Sequence, residues 1–359
     1  MLQKTSARTT QFDRWTKGSV SARDRLAIGV TIPVWKPSFT IAPDAKIFAI
    51  GSCFARNLER FLLQQGIRTT STDPEHEQME IRTNLQLGLL NKYNLASLHQ
   101  ELAWAAGIET FPEQGFLEHK GKFVDPYIRQ EVPNQDLDFA KGRRDVLRQY
   151  FARAFSADVV ILTLGLTETW FDKTTKQALT EAPNPRWKKQ YPDRFGFRIL
   201  EYPDCVKLLK SIYAMLQQHG KPDVKIIVTV SPVALERTFT DQDVIVANMS
   251  SKSTLRAAAV DFASHVPGVD YFPSYEAAML SDPLMVWQND RRNVTDFIVI
   301  QIISEFTRRY GLNPPLSDAD QQMWIRRALE TRIATIQQYL KGLHQGYQQQ
   351  YSAPKTPTP

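Results

Sequence analysis

Short segments that are apolar at nearly every position are the feature that most constrains the fold of this chain. Residues 46–51, 159–164 and 225–230 are three such segments of strand length, and helical patterns separate them. A strand that is apolar on both faces is typical of a parallel sheet with helices packed on either side, whereas a half-exposed strand alternates. The order of these segments therefore predicts an α/β fold.

Helical patterns and weaker strand patterns complete the predicted order of elements. Residues 56–65 carry apolar side chains at helical spacing and end before Gly66, a typical helix stop, and the β-branched segment 67–72 predicts the next strand. Further helices are predicted within 84–106 and at 143–155, 203–219, 250–265 and 294–310, with a short strand at 268–272. Two stretches, 110–140 and 172–200, are rich in proline, glycine or charge and predict insertions.

We expect one domain with an extension at each end. Residues 1–40 contain Trp15 and Trp35 and are predicted to pack on a domain that spans residues 41–312. Residues 313–345 predict an amphipathic helix, whose apolar seam consists of Ile325, Leu329, Ile333, Ile336, Leu340 and Leu343. The seam indicates either a helix docked on its own domain or a helix that joins two copies in a homodimer. The polar residues 346–359 are predicted to be disordered.

Composition and charge argue against several classes of protein. Two cysteines among 359 residues are too few for a disulfide framework and lack metal-ligand spacing, so neither a metal nor a cofactor is expected. No run approaches the roughly 18 apolar residues of a membrane span, and the polar N-terminus has no signal pattern, so we expect a cytoplasmic protein. The net charge of +6 comes from scattered residues, which argues against nucleic acid and leaves acyl-CoA as a candidate co-substrate.

Four loops are expected to meet at one edge of the predicted sheet. Ligand sites in open parallel sheets lie at the carboxyl ends of the strands. The loops are 51–55 after the first strand, 165–168 after the third, 231–233 after the fourth, and 290–293 before the last domain helix. The first is the most informative, because a strand that stops at glycine and turns into a helix presents a small nucleophile at the helix N-terminus.

Cys53 is the candidate nucleophile on this turn, and Ser52 is its competitor. The unpaired amides and positive dipole end of a helix lower the pKa of a thiol and favour the thiolate, which is the reactive species. The structural alternative is that Ser52 caps the helix while Cys53 is a small buried apolar residue. The residues alone leave both interpretations open.

Six blocks in sequence order give the chain its resemblance to a known family. They are Gly51-Ser-Cys-Phe-Ala55, Arg82-Thr-Asn84 with Tyr93-Asn94, Leu164-Gly-Leu-Thr-Glu-Thr-Trp170, Thr229-Val-Ser-Pro-Val233, Ser250-Ser-Lys-Ser-Thr-Leu-Arg256 and Tyr271-Phe-Pro-Ser-Tyr-Glu276. The chain resembles the GSCFA family, a branch of the SGNH/GDSL hydrolase superfamily, over residues 45–305. The resemblance implies a flavodoxin-like parallel sheet, usually of five strands, and an acyl-ester hydrolase or O-acyltransferase that acts on a carbohydrate.

The resemblance also implies which residue of the turn reacts. The nucleophile loop of the superfamily is Gly-Asp-Ser. When it is aligned with this chain, its glycine corresponds to Gly51, its aspartate to Ser52 and its serine nucleophile to Cys53. A related group of polysaccharide-modifying acetyltransferases is similar in having cysteine at this position. The resemblance therefore favours Cys53 over Ser52.

The oxyanion hole is less well matched. The superfamily block Gly-x-Asn-Asp resembles Gly165 to Glu168, so its asparagine corresponds to Thr167 in this chain. An amide donor would then come from elsewhere, and Asn84 and Asn94 are the candidates. Each of these asparagines is equally typical of a turn.

The main departure from the superfamily pattern is the missing histidine. The superfamily takes its general base from an Asp-x-x-His segment before the last helix, and here that segment is Asp290-Arg-Arg-Asn293. Asparagine does not titrate near neutral pH and accepts no proton from a nucleophile. A cysteine tolerates this loss better than a serine, because Arg292 or the helix dipole would hold its thiolate by charge. The alternative function is a catalytically degraded protein that binds a glycan or an anion, or that acts as a scaffold.

Two further pairs of residues have two interpretations each. Glu168 and Trp170 follow a predicted strand and would line the pocket, unless Glu168 caps the next turn. Lys252 and Arg256 are four residues apart on one predicted helix. They would hold an anionic group or form a solvated face, and we expect the solvated face.

Overall fold

The computed structural model describes residues 21–71, 88–129 and 136–312, together with positions 12 and 14–16 and scattered positions between 319 and 345. Its strands are β1 Ile47–Gly51, β2 Leu117–His119, β3 Lys122–Val124, β4 Val159–Leu164, β5 Glu168–Asp172, β6 Gln177–Ala178, β7 Phe195–Ile199, β8 Lys225–Val230 and β9 Val269–Tyr271. Its helices are α1 Ala22–Ala27, α2 Cys53–Gln64, α3 Leu95–Ala105, α4 Leu137–Ala152, α5 Pro185–Gln190, α6 Tyr202–His219, α7 Val244–His265, α8 Ser274–Leu280, α9 Pro283–Val286 and α10 Asp296–Arg309.

A parallel sheet in the order β1-β4-β8-β9 forms the centre of the domain. Gly51 pairs with Thr163, and Leu164 pairs with Val230, so the carboxyl ends of β1, β4 and β8 lie level at one edge. The strands β1 and β4 are buried at every residue. The α/β fold predicted from the three apolar segments is confirmed.

Helices cover both faces of this sheet. On one face Phe48 and Ile50 pack in a cluster with residues of α3, α4, α6 and α7. On the other face Ile47 and Ala49 pack with residues of α2, α8, α9 and α10. Successive side chains of β1 therefore enter different cores, which is why its sequence does not alternate.

The prediction of a strand over residues 67–72 is wrong for residues 67–71, the part of this segment that the structure describes. The segment lies beside β1 but makes a single backbone–backbone hydrogen bond with it, from the Thr70 N–H to the Ile47 carbonyl at 2.7 Å. At the next position the hydroxyl of Ser71, rather than a carbonyl, accepts the Ala49 N–H at 3.1 Å. β1 is thus the edge of the described sheet, which has four strands instead of the expected five.

The two predicted insertions build a small subdomain beside the strand ends. The first contains the hairpin β2-β3. The second contains α5, β6 and β7, and these two strands form an antiparallel sheet with β5, which ends at Asp172 where the second insertion begins. They share a separate core around Trp104, Tyr127 and Trp187. The helix α4 begins at Leu137, earlier than predicted, because Asp136 caps it by accepting the Phe139 N–H at 2.8 Å.

The two ends of the chain differ from the prediction in part. Trp35 packs on Phe272 with ring centroids 5.1 Å apart, as expected, but Trp15 is 69% exposed and does not pack on the domain. The described positions between 319 and 345 are helical, and Ile333 and Leu340 of the seam are exposed, so the domain does not cover these two side chains. Ile336 of the seam is half-buried, and Ile325, Leu329 and Leu343 lie outside the described residues. Among the described residues, no helix combines the length and apolar character needed to span a bilayer.

Candidate active site

A cavity of about 850 Å³ opens at the carboxyl ends of β1, β4 and β8. The loops after these strands, the subdomain and the segment before α10 all contribute to its wall. Its polar lining residues are Ser52, Cys53, Arg56, Asn57, Asn91, Tyr93, Asn94, Arg129, Glu168, Thr180, Glu181, Asn184, Lys188, Ser231, Glu236, Arg237, Lys252, Arg292 and Asn293. The structure thus brings together the four loops that the sequence predicts to meet.

Gly51 makes the sharp turn from β1 into α2. Its φ is +136°, and a Cβ at this position would lie 2.1 Å from the carbonyl oxygen of Thr163 on β4. Glycine is therefore required by both its backbone conformation and the close approach of the neighbouring strand. The turn is held further by the Ser52 N–H, which donates to the same Thr163 carbonyl at 3.1 Å.

Ser52 acts as the cap of α2. Its hydroxyl accepts the Phe54 N–H at 3.3 Å and lies 3.3 Å from the Thr163 hydroxyl. The residue is 3% exposed. These contacts match the capping role that the sequence left open, and they make Cys53 the first residue of the helix.

Cys53 lies at the cavity wall as a free, half-buried thiol. Burial raises the pKa of this thiol, and the nearby charges of Lys252, Arg292 and Arg129 oppose the increase without cancelling it. The expectation of a lowered pKa is therefore wrong, because loss of hydration outweighs the cations and the helix N-terminus. The resting thiol is protonated at neutral pH and needs a proton acceptor in order to react.

Lys252 lies in the same cavity and is 1% exposed. Its ammonium donates to the carbonyl oxygen of Gly165 at 2.6 Å. Burial lowers its pKa to about 7; the Cys53 thiolate would raise it, and Arg292 lowers it further. The prediction that Lys252 and Arg256 lie on a solvated face is wrong for Lys252, which is buried. Arg256 points outward and pairs with Glu276 at 2.5 Å.

The loop after β4 is held from two directions. A Cβ on Gly165 would lie 2.4 Å from the Tyr93 carbonyl oxygen, so the two backbones are in close contact. The Thr167 N–H donates to the Ser251 hydroxyl at 2.8 Å, and Thr167 is buried and does not line the cavity. The position that matches the oxyanion-hole asparagine therefore faces the protein interior in this chain.

Glu168 lines the cavity and fixes its rim. One carboxylate oxygen accepts the Thr238 hydroxyl at 2.5 Å, and the other accepts the Phe239 N–H at 2.9 Å. Phe239 packs against Trp170 with ring centroids 5.2 Å apart, and the Lys188 ammonium lies 4.3 Å from the Trp170 ring centroid. Glu168 thereby positions an aromatic wall that carries a cation.

Of the two asparagines predicted as oxyanion donors, the structure describes only one. Asn84 lies outside the described residues. Asn94 caps α3: its side-chain oxygen accepts the Ser97 N–H at 2.8 Å, and its amide donates to the Leu179 carbonyl at 2.8 Å. Both ends of this side chain are engaged in structural contacts, although the residue borders the cavity.

Two other polar residues line the cavity but were not predicted as site residues, although Ser231 belongs to the predicted loop 231–233. Ser231 is fully buried and lines the cavity, yet its hydroxyl has no partner within the described part of the chain. The side-chain oxygen of Asn91 is likewise buried without a partner there. An unpaired buried polar atom that faces a cavity is available to a ligand. Ser231 was signalled by its place directly after a strand, whereas nothing in the sequence distinguishes Asn91 from a turn residue.

Asp290 and Asn293 form a closed turn rather than a catalytic pair. One Asp290 oxygen accepts the Arg292 and Asn293 backbone N–H groups, each at 3.0 Å, and the other accepts the Asn293 side-chain amide at 2.6 Å. These hydrogen bonds lower the pKa of the exposed Asp290, and the backbone amides of Asn293 and Arg292 make the largest contributions. Arg292 and Asn293 line the cavity, but Asp290 does not.

No described histidine lines the cavity. His99, for example, is hydrogen bonded to Ser211 at 2.8 Å between α3 and α6. The described residues also contain no group of three or more histidine, cysteine, aspartate or glutamate residues arranged to hold a metal ion. The cavity chemistry of the described residues therefore rests on a thiol, amides, hydroxyls, carboxylates and cations.

The fold and the cavity define an α/β protein with a parallel sheet and a cysteine on the turn between its first strand and the following helix. A comparison with family models matches residues 46–306 to the GSCFA family. The chain therefore belongs to the GSCFA family, as its six blocks predicted. No curated protein matches the chain.

Proposed function

We propose that this protein transfers an acyl group through the sulfur of Cys53, either to a carbohydrate hydroxyl or to water. The observation that carries the proposal is the position of Cys53, a free thiol at the first residue of α2 that borders the cavity. A backbone amide at the first helical position has no partner within the helix. The Cys53 N–H is thus suited to stabilise the oxyanion of a tetrahedral intermediate.

The charge of the cavity supports a substrate or donor with an anionic part. Six basic residues line it, Arg56, Arg129, Lys188, Arg237, Lys252 and Arg292, against three acidic ones, Glu168, Glu181 and Glu236. The phosphates of acyl-CoA or an acidic sugar would meet this excess of positive charge. The aromatic wall of Trp170 and Phe239 supplies apolar surface of the kind that lines small-molecule sites.

Two observations favour a second candidate function. The Asp290–Asn293 turn contains no group that accepts a proton near neutral pH, and burial raises the pKa of the Cys53 thiol. A catalytically degraded protein would keep the cavity and bind a glycan or an anion without reacting. The two candidates differ in whether Cys53 forms a covalent intermediate.

Covalent labelling separates the two candidates. We expect wild-type protein incubated with p-nitrophenyl acetate or acetyl-CoA to carry one acetyl group on the peptide that contains Cys53, and to release nitrophenolate. Cys53→Ala would lose both signals, and Cys53→Ser would lose most turnover, because a serine depends more strongly on a base. Cys205 provides an internal control, since it is fully buried in the core and should remain unmodified. Absence of acetylation at Cys53, combined with measurable binding of an acetylated oligosaccharide, would favour the second candidate.

A further inference from the structure

We propose that Lys252 is the proton acceptor for the Cys53 thiol, in the role that histidine has in the Asp-x-x-His arrangement. The inference rests on the proposed function of Cys53 and names the base that this function requires. Lysine and cysteine reach the cavity from different elements: Cys53 begins α2, and Lys252 lies in α7.

The contacts of Lys252 fix its amine at the strand ends. Its nitrogen donates to the Gly165 carbonyl at 2.6 Å, in the loop directly after β4. Gly165 is itself adjacent to the turn, since a Cβ placed on it would lie 3.4 Å from the Ser52 Cβ. The neighbouring Ser251 holds the same loop through the Thr167 N–H. α7 thus presents the amine to the loop that borders the reactive turn.

A comparison with Lys92 identifies what is unusual about Lys252. Both lysines are 1% exposed, but Lys92 pairs with Glu101 at 2.6 Å. Lys252 has no carboxylate within 4.0 Å in the described ranges 21–71, 88–129 and 136–312. A buried ammonium without a counter-ion is strongly disfavoured, so burial shifts such a lysine towards the free amine. A buried lysine that serves only to stabilise the fold is expected to have the pairing of Lys92.

The charges that face Lys252 keep its amine available as a base. Arg292, from the segment before α10, disfavours the ammonium by repulsion, while the Cys53 thiolate on α2 would favour it. Arg129 acts on Cys53 from the subdomain side. With a pKa of about 7, a large part of the Lys252 population carries a free lone pair at neutral pH. The protonated thiol and the free-amine part of the Lys252 population therefore form an acid–base pair.

The proton and electron changes balance without another reactant. As the Cys53 sulfur forms a bond to the acyl carbonyl carbon, its proton passes to the Lys252 amine and the carbonyl electron pair becomes the oxyanion. Collapse of this intermediate releases the donor's alcohol or thiol, which takes the proton from the Lys252 ammonium, and leaves a thioester. The free amine then accepts a proton from the attacking hydroxyl or water. On collapse the cysteine sulfur leaves and regains that proton.

The test compares two variants of Lys252 by two readouts. Lys252→Met removes both the charge and the base, whereas Lys252→Arg keeps a charge but accepts no proton. Lys210→Met, at an exposed lysine on α6, is the matched control. The readouts are hydrolysis of p-nitrophenyl acetate across pH 5–10 and the rate at which iodoacetamide alkylates Cys53, measured by peptide mass spectrometry. The thermal midpoint of each variant shows whether it is folded.

We expect Lys252→Met to lower turnover by about 10²–10⁴-fold and to slow alkylation. Lys252→Arg should alkylate at least as fast as wild type and yet lose turnover to the same extent, a separation that a merely structural lysine would not produce. In wild type, turnover should rise through pH 7 as the amine loses its proton, and Lys252→Met should lack this rise.

Three results would overturn the inference. They are wild-type turnover in Lys252→Arg, an unchanged rise through pH 7 in Lys252→Met, and equal alkylation rates in wild type and Lys252→Met. A second measurement applies if Lys252→Arg does not fold. Competitive labelling of wild-type lysines with acetic anhydride should give Lys252 the reactivity of a free amine near pH 7, and a titration like that of Lys210 would overturn the inference as well. Failure of the proposed function itself is distinct, because wild-type protein would then show no turnover, or Cys53→Ala would retain it, whatever the result of the lysine labelling.

Discussion

The backbone N–H of Lys92 donates a hydrogen bond to the carbonyl oxygen of Gly51 at 2.7 Å, directly beside the turn that carries Cys53. The side chain of Lys92 enters the interior and pairs with Glu101 of α3 at 2.6 Å. Glu101 also pairs with Arg144 of α4 at 2.5 Å. The turn that carries Cys53 is thus tied through one residue to a buried ionic network that joins two helices.

Removal of the central carboxylate should destabilise the protein strongly. Glu101→Gln leaves the Lys92 ammonium buried without an opposing charge, and such a loss costs about 3–5 kcal/mol. Urea denaturation would measure the free energy of unfolding. Glu109→Gln, at an exposed glutamate after the same helix, should change this free energy by no more than about 0.5 kcal/mol. Equal effects of the two variants would contradict a structural role for the network.

Gly51 should tolerate no side chain. A Cβ at this position would meet the Thr163 carbonyl oxygen at 2.1 Å, and the positive φ adds backbone strain. We expect Gly51→Ala to lower stability by more than about 2 kcal/mol and to abolish acetylation of Cys53. Gly142→Ala, where a Cβ has open space within α4, is the control and should be neutral or stabilising. Thermal unfolding of both variants measures the difference, and a stable, active Gly51→Ala protein would show that the turn can rearrange.

Lys252 should reduce the stability of the fold near neutral pH. Its pKa is about 7 in the folded protein against 10.5 for an ordinary lysine, so between these values the unfolded chain binds more protons and stability rises with pH. Below pH 7 the full penalty applies, roughly 5 kcal/mol at about 1.4 kcal/mol for each pKa unit. Loss of the hydrogen bond to Gly165 offsets part of it, by about 1–2 kcal/mol.

Lys252→Met is therefore expected to be more stable than wild type by about 3 kcal/mol at pH 7, and this advantage should shrink towards pH 10. Denaturation of both proteins at several pH values measures the difference. A Lys252→Met protein that is less stable than wild type at pH 7 would contradict a stability penalty for burying this lysine.

The central sheet and the turn followed from the sequence because they depend on local patterns. β4 and β8 have the bounds that their apolar runs predict, and the Gly51–Ser52–Cys53 turn has the cap that a serine at this position favours. The conformation of segment 67–72 was not predicted correctly, since β-branched residues fit a strand but do not ensure a pairing partner. The subdomain fold also depends on contacts between distant segments, which no local pattern reports.

The sequence contains only a weak indication that Lys252 is buried. Lys252 precedes Leu255, Ala259 and Phe262 at helical spacing, and all three are buried, so the lysine belongs to the inner face of α7. A lysine is nevertheless seldom assigned to a core, because its charge is costly to bury. Its role could be inferred only when the structure brought the amine and the Cys53 thiol to one cavity.

The apolar seam of the C-terminal helix remains a prediction for homodimer formation. Ile333 and Leu340 are 56% and 57% exposed, so each has surface that a second copy could cover. We expect wild-type protein to sediment as a concentration-dependent dimer and the double substitution Ile333→Ser with Leu340→Ser to sediment as a monomer. Substitution of the exposed Lys341 by serine should leave the sedimentation behaviour unchanged. Identical profiles for wild type and the double variant would contradict a seam-mediated dimer.

Trp170 should contribute more to carbohydrate binding than to the chemical step. Its indole N–H is buried without a partner among the described residues, and its ring packs between Phe197 and Phe239. A sugar hydroxyl that accepted this N–H would satisfy a donor that is otherwise unpaired, a gain of about 1–2 kcal/mol or roughly tenfold in affinity. Trp170→Phe should therefore raise KM for an acetylated oligosaccharide about tenfold while kcat changes little, because it removes the N–H and keeps an aromatic ring. Trp170→Ala removes the ring as well and should raise KM further. A Trp170→Phe protein with the KM of wild type would mean that the indole N–H does not contact the substrate.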